Sequence, residues 1–205
     1  MNTIYHYTKG YNLCEILMSQ EIRTEGISAI RLTNSITDFA WFTAEERFPR
    51  TALPLVPKMP ATNLQLHLGK VKPNIDMLEL AGHIGGVWRF KLERAGSQSI
   101  QSWVGSYYRQ KLLKTGIGKL NELIAKKSGD NTDLWFISPK SVSIAGMTLQ
   151  QLTPKGWVDR ADFQRRGGAV VVADIGNADI SKIIADSFCQ RLKMGMPVSE
   201  YPVAA

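Results

Sequence analysis

The sequence has few of the features that mark membrane, disulfide-rich or metal-binding proteins. Its two cysteines, Cys14 and Cys189, cannot form a disulfide framework and are predicted to be buried thiols. No Cys/His group has metal-ligand spacing, so no metal site is predicted. No apolar run approaches the roughly 20 residues that span a bilayer, and the N-terminus lacks a charged-then-apolar signal pattern. These absences predict a cytosolic (cytoplasmic) protein without membrane contact.

Core-forming residues are plentiful. Hydrophobic residues make up 44% of the 205 positions, and five Trp, seven Phe and six Tyr are among them. This composition excludes a disordered chain and predicts a single globular domain over 1–205.

The charge is basic, with 25 Lys and Arg against 18 Asp and Glu and a net charge of +7. Such a surplus suits a polyanion such as nucleic acid, because basic side chains displace counterions from phosphates. It is also common in proteins without that partner. The basic residues cluster in two groups, each of which also fits a solvated surface: Arg109, Lys111, Lys114, Lys119, Lys126 and Lys127, and then Arg160, Arg165 and Arg166.

Hydrophobic periodicity predicts alternating short strands and helices. Predicted strands cover 3–8, 39–43, 64–68, 86–92, 134–137 and 169–173, and 20–23 is a further short strand or an extended turn. One predicted helix begins near Asn12, and three further helices are predicted over 98–114, 118–127 and 179–191. Four prolines between 49 and 60 predict a surface excursion over 45–62. The pattern indicates an α+β fold with a mixed or antiparallel central sheet and peripheral helices.

The first strand contains Tyr5-His6-Tyr7-Thr8, and His6 is one of three histidines. An imidazole there can donate a hydrogen bond to a ribose hydroxyl while its aromatic neighbours orient it. The alternative is a histidine that only satisfies a nearby carbonyl group.

This strand and the following helix, which ends in Ile16-Leu17-Met18-Ser19-Gln20-Glu21-Ile22, resemble the opening of ADP-ribosyltransferase-fold proteins. Those proteins include DNA-modifying ADP-ribosyltransferase toxins and RNA 2′-phosphotransferases. The likeness covers roughly residues 3–52. It implies NAD as substrate, His6, Tyr7 and Thr8 at the NAD site, and DNA or RNA as a possible acceptor.

The strand Trp41-Phe42-Thr43 is similar to a second element of that family, an aromatic residue beside a hydroxyl residue. The resemblance implies that an aromatic side chain near Phe42 packs on nicotinamide. Strand side chains alternate, so Phe42 points away from Trp41 and Thr43. If Thr43 lines the site, Trp41 does too and Phe42 belongs to the core. The sequence leaves both arrangements open.

The family's catalytic acid is a Glu on a late strand, where a carboxylate stabilises positive charge on the ribose as nicotinamide leaves. The late strand here, Trp135 to Ser138, carries no acid. Four other carboxylates remain as candidates: Glu45, Glu46, Glu93 and Asp133. Guanidinium groups suit pyrophosphate, so Arg47 and Arg50 are candidates to bind it, although a solvated loop is an equal reading.

Three functions follow as hypotheses. The first is an NAD-dependent ADP-ribosyltransferase that modifies a macromolecule. The second is a catalytically inactive module of the same fold that binds nucleic acid or protein. The third, ranked last, is an RNA 2′-phosphotransferase, because that chemistry needs several converging basic side chains.

Overall fold

The opening strand of the sequence lies in the middle of a large antiparallel sheet. The computed structural model describes residues 3–24, 39–49, 77–93, 99–114, 119, 122–123, 125–126, 129–173, 179–193 and 195. The strands are β1 Thr3–Lys9, β2 Glu21–Ile22, β3 Ala40–Thr43, β4 Val87–Glu93, β5 Gln101–Ser102, β6 Trp135–Ser138, β7 Val142–Ser143, β8 Met147–Thr153, β9 Gly156–Arg166 and β10 Ala169–Ala173. The helices are α1 Gly10–Ser19, α2 Met77–Ile84, α3 Tyr107–Leu113 and α4 Ile180–Lys193, and a 3-10 turn covers Thr132–Leu134.

Eight strands form the main sheet in the order β10-β9-β8-β4-β1-β3-β6-β5, and every neighbouring pair is antiparallel. A second sheet joins β2 to β7. The α+β class is therefore confirmed, and of the two predicted sheet types the antiparallel one is observed. No helix in the described part of the chain is long and apolar enough to cross a membrane.

The pairing of β1 differs on its two sides. Along β4 it runs over the whole strand, from Thr3–Glu93 to Lys9–Val87. Along β3, within the described residues, it is registered only at Tyr5–Thr43. Because the second pairing is so short, the two strands separate toward the C-terminal end of β1.

One face of the sheet forms the principal core under α1 and α4. Ile4, Phe90 and Leu149 are at most 1% exposed there, and Leu13 of α1 and Ile184 of α4 pack into the same cluster. Fully burying one such side chain contributes about 1.5–3 kcal/mol. The apolar faces predicted for these two helices are confirmed.

Polar contacts tie α1 to α4. The Ser187 hydroxyl donates to the Gly10 carbonyl and accepts from the Cys14 amide. Arg191 bonds the Glu15 carboxylate at 2.7 Å. Cys14 is buried as predicted, but the prediction for Cys189 is wrong, because it lies on the exposed side of α4.

The helix predicted over 98–114 is wrong in its first half. It begins only at Tyr107, where the Ser106 hydroxyl caps it by accepting from the Arg109 amide. Upstream, β5 pairs with β6, and the Trp103 amide donates to the Trp135 carbonyl. The apolar residues before Tyr107 recur at the spacing of a helix, but they do not form one. They are buried because they pack at the edge of the main sheet. In the range 118–127, the described positions 119, 122–123 and 125–126 are helical as predicted.

The hairpin of β8 and β9 was not predicted from the sequence. Its turn contains Pro154 and Gly156, and glycine suits the latter position because its φ is +95°. These residues connect two long strands rather than a surface loop. Arg50, the predicted strand 64–68 and the part of the excursion 45–62 from residue 50 onward lie outside the described residues.

Candidate functional site

The imidazole of His6 bridges the point where β1 and β3 separate. Its Nδ1 lies 2.8 Å from the main-chain oxygen of Trp41. A carbonyl oxygen only accepts, so Nδ1 carries the proton, and Nε2 of the neutral ring is an acceptor. The ring centroid lies 5.7 Å from that of Phe42. The predicted donor therefore bonds within the protein.

Side-chain alternation divides the predicted site residues between the two faces of the sheet. His6, Thr8 and Phe42 lie on the core face, where Phe42 is 3% exposed. Trp41 and Thr43 lie on the opposite face, because Thr43 pairs with Tyr5. Of the two arrangements left open, Phe42 therefore belongs to the core. Trp41 and His6 are neighbours through a main-chain atom, with their side chains on opposite faces.

Trp41 belongs to an aromatic cluster on this opposite face. Its indole packs against Trp103 at 5.1 Å and Trp135 at 5.6 Å between ring centroids. The indole of Trp41 remains half-buried. One side of the separation between β1 and β3 is thus lined by rigid aromatic rings.

The segment after β3, residues 44–48, folds over β1 and β4 on the same face. The Tyr7 hydroxyl donates to the Glu45 carbonyl at 2.8 Å, and the Tyr5 hydroxyl donates to Oε1 of Glu46 at 3.3 Å. The ring of Phe48 packs against Tyr7 at 5.2 Å. Two side chains of β1 thereby hold the segment that carries two of the candidate acids.

Arg89 of β4 belongs to the site, although the sequence, which only showed it as a basic residue beside Trp88, did not place it among the candidate site residues. It is 5% exposed, and its guanidinium carbon lies 4.1 Å from the ring centroids of both Tyr5 and Trp157. Its Nη1 donates to the Glu46 carbonyl at 2.9 Å, and its Nε donates to Oε1 of Gln150 at 2.6 Å. The sequence signal was an arginine within the alternating apolar strand Val87–Leu92.

The phenols around Arg89 remain neutral at physiological pH. Burial raises the pKa of Tyr7 far above its usual value near 10, and the hydrogen bond from Arg89 opposes that shift only partly. Burial likewise raises the pKa of Tyr5, against the opposing charge of Arg89. Neither ring therefore supplies a negative charge to the arginine.

Glu45 differs from the other candidate acids. Its Oε1 accepts from Nη2 of Arg47 at 3.1 Å, while its Oε2 is buried and has no hydrogen-bond partner among the described residues. Nη2 of Arg47 also donates to the Gly129 carbonyl at 3.2 Å, which ties the segment to a neighbouring turn. Buried carboxylate oxygens are normally paired, and exceptions concentrate at functional sites.

Glu93 and Asp133 lie in different surroundings. Glu93 is exposed at the end of β4, where hydrogen bonds from Thr3 and then Lys91 lower the pKa of its carboxyl. Asp133 lies in the 3-10 turn and lines an open groove of about 650 Å³ with Glu122 and Lys126. Arg47, through its bond to the Gly129 carbonyl, contacts the border of that groove.

On the face opposite the core, the structure brings together the side chains of Trp41, Tyr7 and Glu45, and it adds Arg89. The His6 imidazole lies on the core face and is linked to this group only through the Trp41 main-chain oxygen. The group offers an acid, aromatic surfaces and a guanidinium. Comparison with known proteins gives no match, since no family model, curated sequence or solved structure resembles the chain at a significant level.

Proposed function

We propose that the chain is an NAD-dependent ADP-ribosyltransferase that cleaves the bond between nicotinamide and ribose and transfers ADP-ribose to a macromolecule, with DNA or RNA as the candidate acceptor. The single observation that carries the proposal is the buried and unpaired Oε2 of Glu45. Its support from the sequence is the resemblance of residues 3–52 to ADP-ribosyltransferase-fold proteins.

Glu45 has the properties that this reaction requires of a carboxylate. Positive charge develops on the ribose as nicotinamide departs, and a fixed negative group stabilises that charge. Arg47 holds one oxygen of Glu45, which leaves the other to accept a ribose hydroxyl. Because Oε2 is buried, little water screens its charge.

His6 and Trp41 complete the proposed assignment. From the core face, the bond from Nδ1 of His6 to the Trp41 carbonyl holds β3 in place, so that His6 is a positioning residue. The half-buried indole of Trp41, on the same face as Glu45, supplies a flat surface for nicotinamide. In this assignment NAD binds on the face of the sheet opposite the core.

The test is to incubate the full chain with NAD alone, with DNA, with RNA and with cell lysate, and to measure nicotinamide release. We expect release that is stimulated by one class of acceptor, with labelled ADP-ribose recovered on that acceptor. Absence of release under all four conditions, together with absence of NAD binding by calorimetry, would remove the proposal.

A binding module of the same fold is the second candidate. The observation that favours it is β6, which carries no acidic residue at any of its four positions. Such a module binds nucleic acid or protein without turnover. Glu45→Gln distinguishes the two, since a module keeps its partner affinity whereas the enzyme loses nicotinamide release.

A further inference from the structure

Arg89 is a buried positive charge without a negative partner among the described residues. It is 5% exposed, and none of the ion pairs in the described ranges includes it. A charge removed from water costs free energy unless an opposite charge or full hydrogen bonding compensates it. The fold therefore retains an arginine at a position where burying a neutral residue would cost less free energy.

The hydrogen bonds of Arg89 leave one end of the guanidinium available. An arginine side chain carries five N–H donors. Nε donates to Gln150, and Nη1 donates to the Tyr7 hydroxyl at 3.2 Å and to the Glu46 carbonyl at 2.9 Å. Nη2 makes no hydrogen bond to any described residue. Its two N–H groups are therefore the donors that no described residue occupies.

The faces of the guanidinium are covered, so a ligand can reach it only at its edge. The aromatic rings of Tyr5 and Trp157 stack on the guanidinium, and each ring centroid lies 4.1 Å from the guanidinium carbon. Aromatic contacts partly compensate the charge but accept no in-plane hydrogen bond. Gln150, which accepts from Arg89, donates in turn through its amide to Oδ1 of the exposed Asp159.

Arg191 provides the contrast within the same chain. It is 7% exposed, similar to Arg89, but its guanidinium contacts the Glu15 carboxylate at 2.7 Å and the Asn12 side chain at 3.3 Å. One buried arginine thus has its counter-charge within the fold. The other has neutral acceptors and aromatic rings.

We infer that Arg89 is an anion-binding residue that holds a phosphate group of the ligand through the two N–H groups of Nη2. A guanidinium fixed by three other hydrogen bonds is already oriented for a phosphate oxygen, so little side-chain entropy is lost on binding. The identification of this phosphate with the pyrophosphate of NAD rests on the proposed function. The anion site itself depends only on the surroundings of Arg89.

The experiment measures binding of inorganic pyrophosphate, ADP-ribose and NAD to the full chain by calorimetry at fixed ionic strength. The variants are Arg89→Gln, which removes the charge, and Arg89→Lys, which keeps the charge without the planar fork. Arg191→Gln is the matched control, and circular dichroism checks the fold of each variant. We expect pyrophosphate and ADP-ribose to bind about ten-fold or more weakly to both Arg89 variants and normally to the control.

Each outcome decides the inference. Equal pyrophosphate affinity in the wild type and Arg89→Lys overturns it, as does a wild type that does not bind pyrophosphate. Pyrophosphate binding that depends on Arg89, without binding of NAD or ADP-ribose, supports the anion site and contradicts the proposed function. If both Arg89 variants unfold, the melting temperature of the wild type is measured in pyrophosphate and in sulfate of equal ionic strength. We expect a higher melting temperature in pyrophosphate. Equal melting temperatures overturn the inference.

Discussion

Nδ1 of His6 donates to the main-chain oxygen of Trp41 across 2.8 Å, where the ladder between β1 and β3 has ended. A side chain thus makes the connection that a main-chain amide makes elsewhere in the sheet. The bond holds the imidazole in one tautomer and joins the two parts of the sheet. His6 therefore positions β3 from the core face, and substitutions can test that role.

His6→Asn and His6→Ala are expected to differ in both stability and activity. The Asn amide can replace the Nδ1 donor to Trp41, whereas Ala leaves the carbonyl unpaired and costs about 1 kcal/mol. Because the same bond positions β3, His6→Asn should retain more NAD turnover than His6→Ala. Urea denaturation and nicotinamide release measure the two effects. Equal loss of turnover in both variants would contradict the positioning role.

Glu45→Gln is expected to reduce kcat by about 10²–10³-fold with little change in KM, since it removes a charge that acts in the transition state. The free energy of unfolding should change by less than about 1 kcal/mol, because only one oxygen of the buried carboxylate has a partner that the substitution would weaken. Glu93→Gln, at the exposed end of β4, is the matched control and should retain turnover. The reverse result would assign the acid to Glu93.

The neutral form of Tyr7 makes stability depend on pH in the alkaline range. Burial raises its pKa in the folded state above the usual value near 10, so above that pH the unfolded chain binds fewer protons than the folded one. Stability is then complete below about pH 10 and falls by up to about 1.4 kcal/mol per pH unit above it. Tyr7→Phe should reduce this slope in denaturation curves recorded between pH 9 and 11. Equal slopes would contradict the shift.

Two glycines that look alike in sequence should respond oppositely to alanine. A Cβ at Gly10 would overlap main-chain atoms of Gly85, so Gly10→Ala should cost about 3 kcal/mol or more. Gly82 lies exposed in α2 with nothing within 4 Å of its Cβ position. Gly82→Ala should therefore stabilise the protein by about 0.5–1 kcal/mol. Thermal melting of both variants checks the pair.

The sequence predicted those elements whose residues alternate cleanly. β1, β4, α1 and α4 agree because each packs an apolar side into the principal core, and that side recurs with a period of two in a strand or 3.6 in a helix. The helix predicted from residue 98 failed because Trp103 is buried from the edge of the sheet. The β8–β9 hairpin was missed because proline and glycine interrupt this part of the sequence, and no strand was predicted there.

The site was predictable only in part. His6, Trp41 and Glu45 were identified from short motifs, and they do lie near one another because β1 and β3 are neighbours. Arg89 was not, since its role depends on stacking between Tyr5 and Trp157, which lie more than 150 positions apart in the sequence. No local pattern contains that relationship. It follows only from the strand order.

The central position of β1 has a consequence for how the molecule folds. This strand is synthesised well before its partner β4, which begins at Val87, and before β8, which begins at Met147. The apolar side of β1 is covered in part by α4, which is synthesised later still. During synthesis this central strand is therefore without its longest partner, a topology that slows folding and exposes the nascent chain to aggregation and to chaperones.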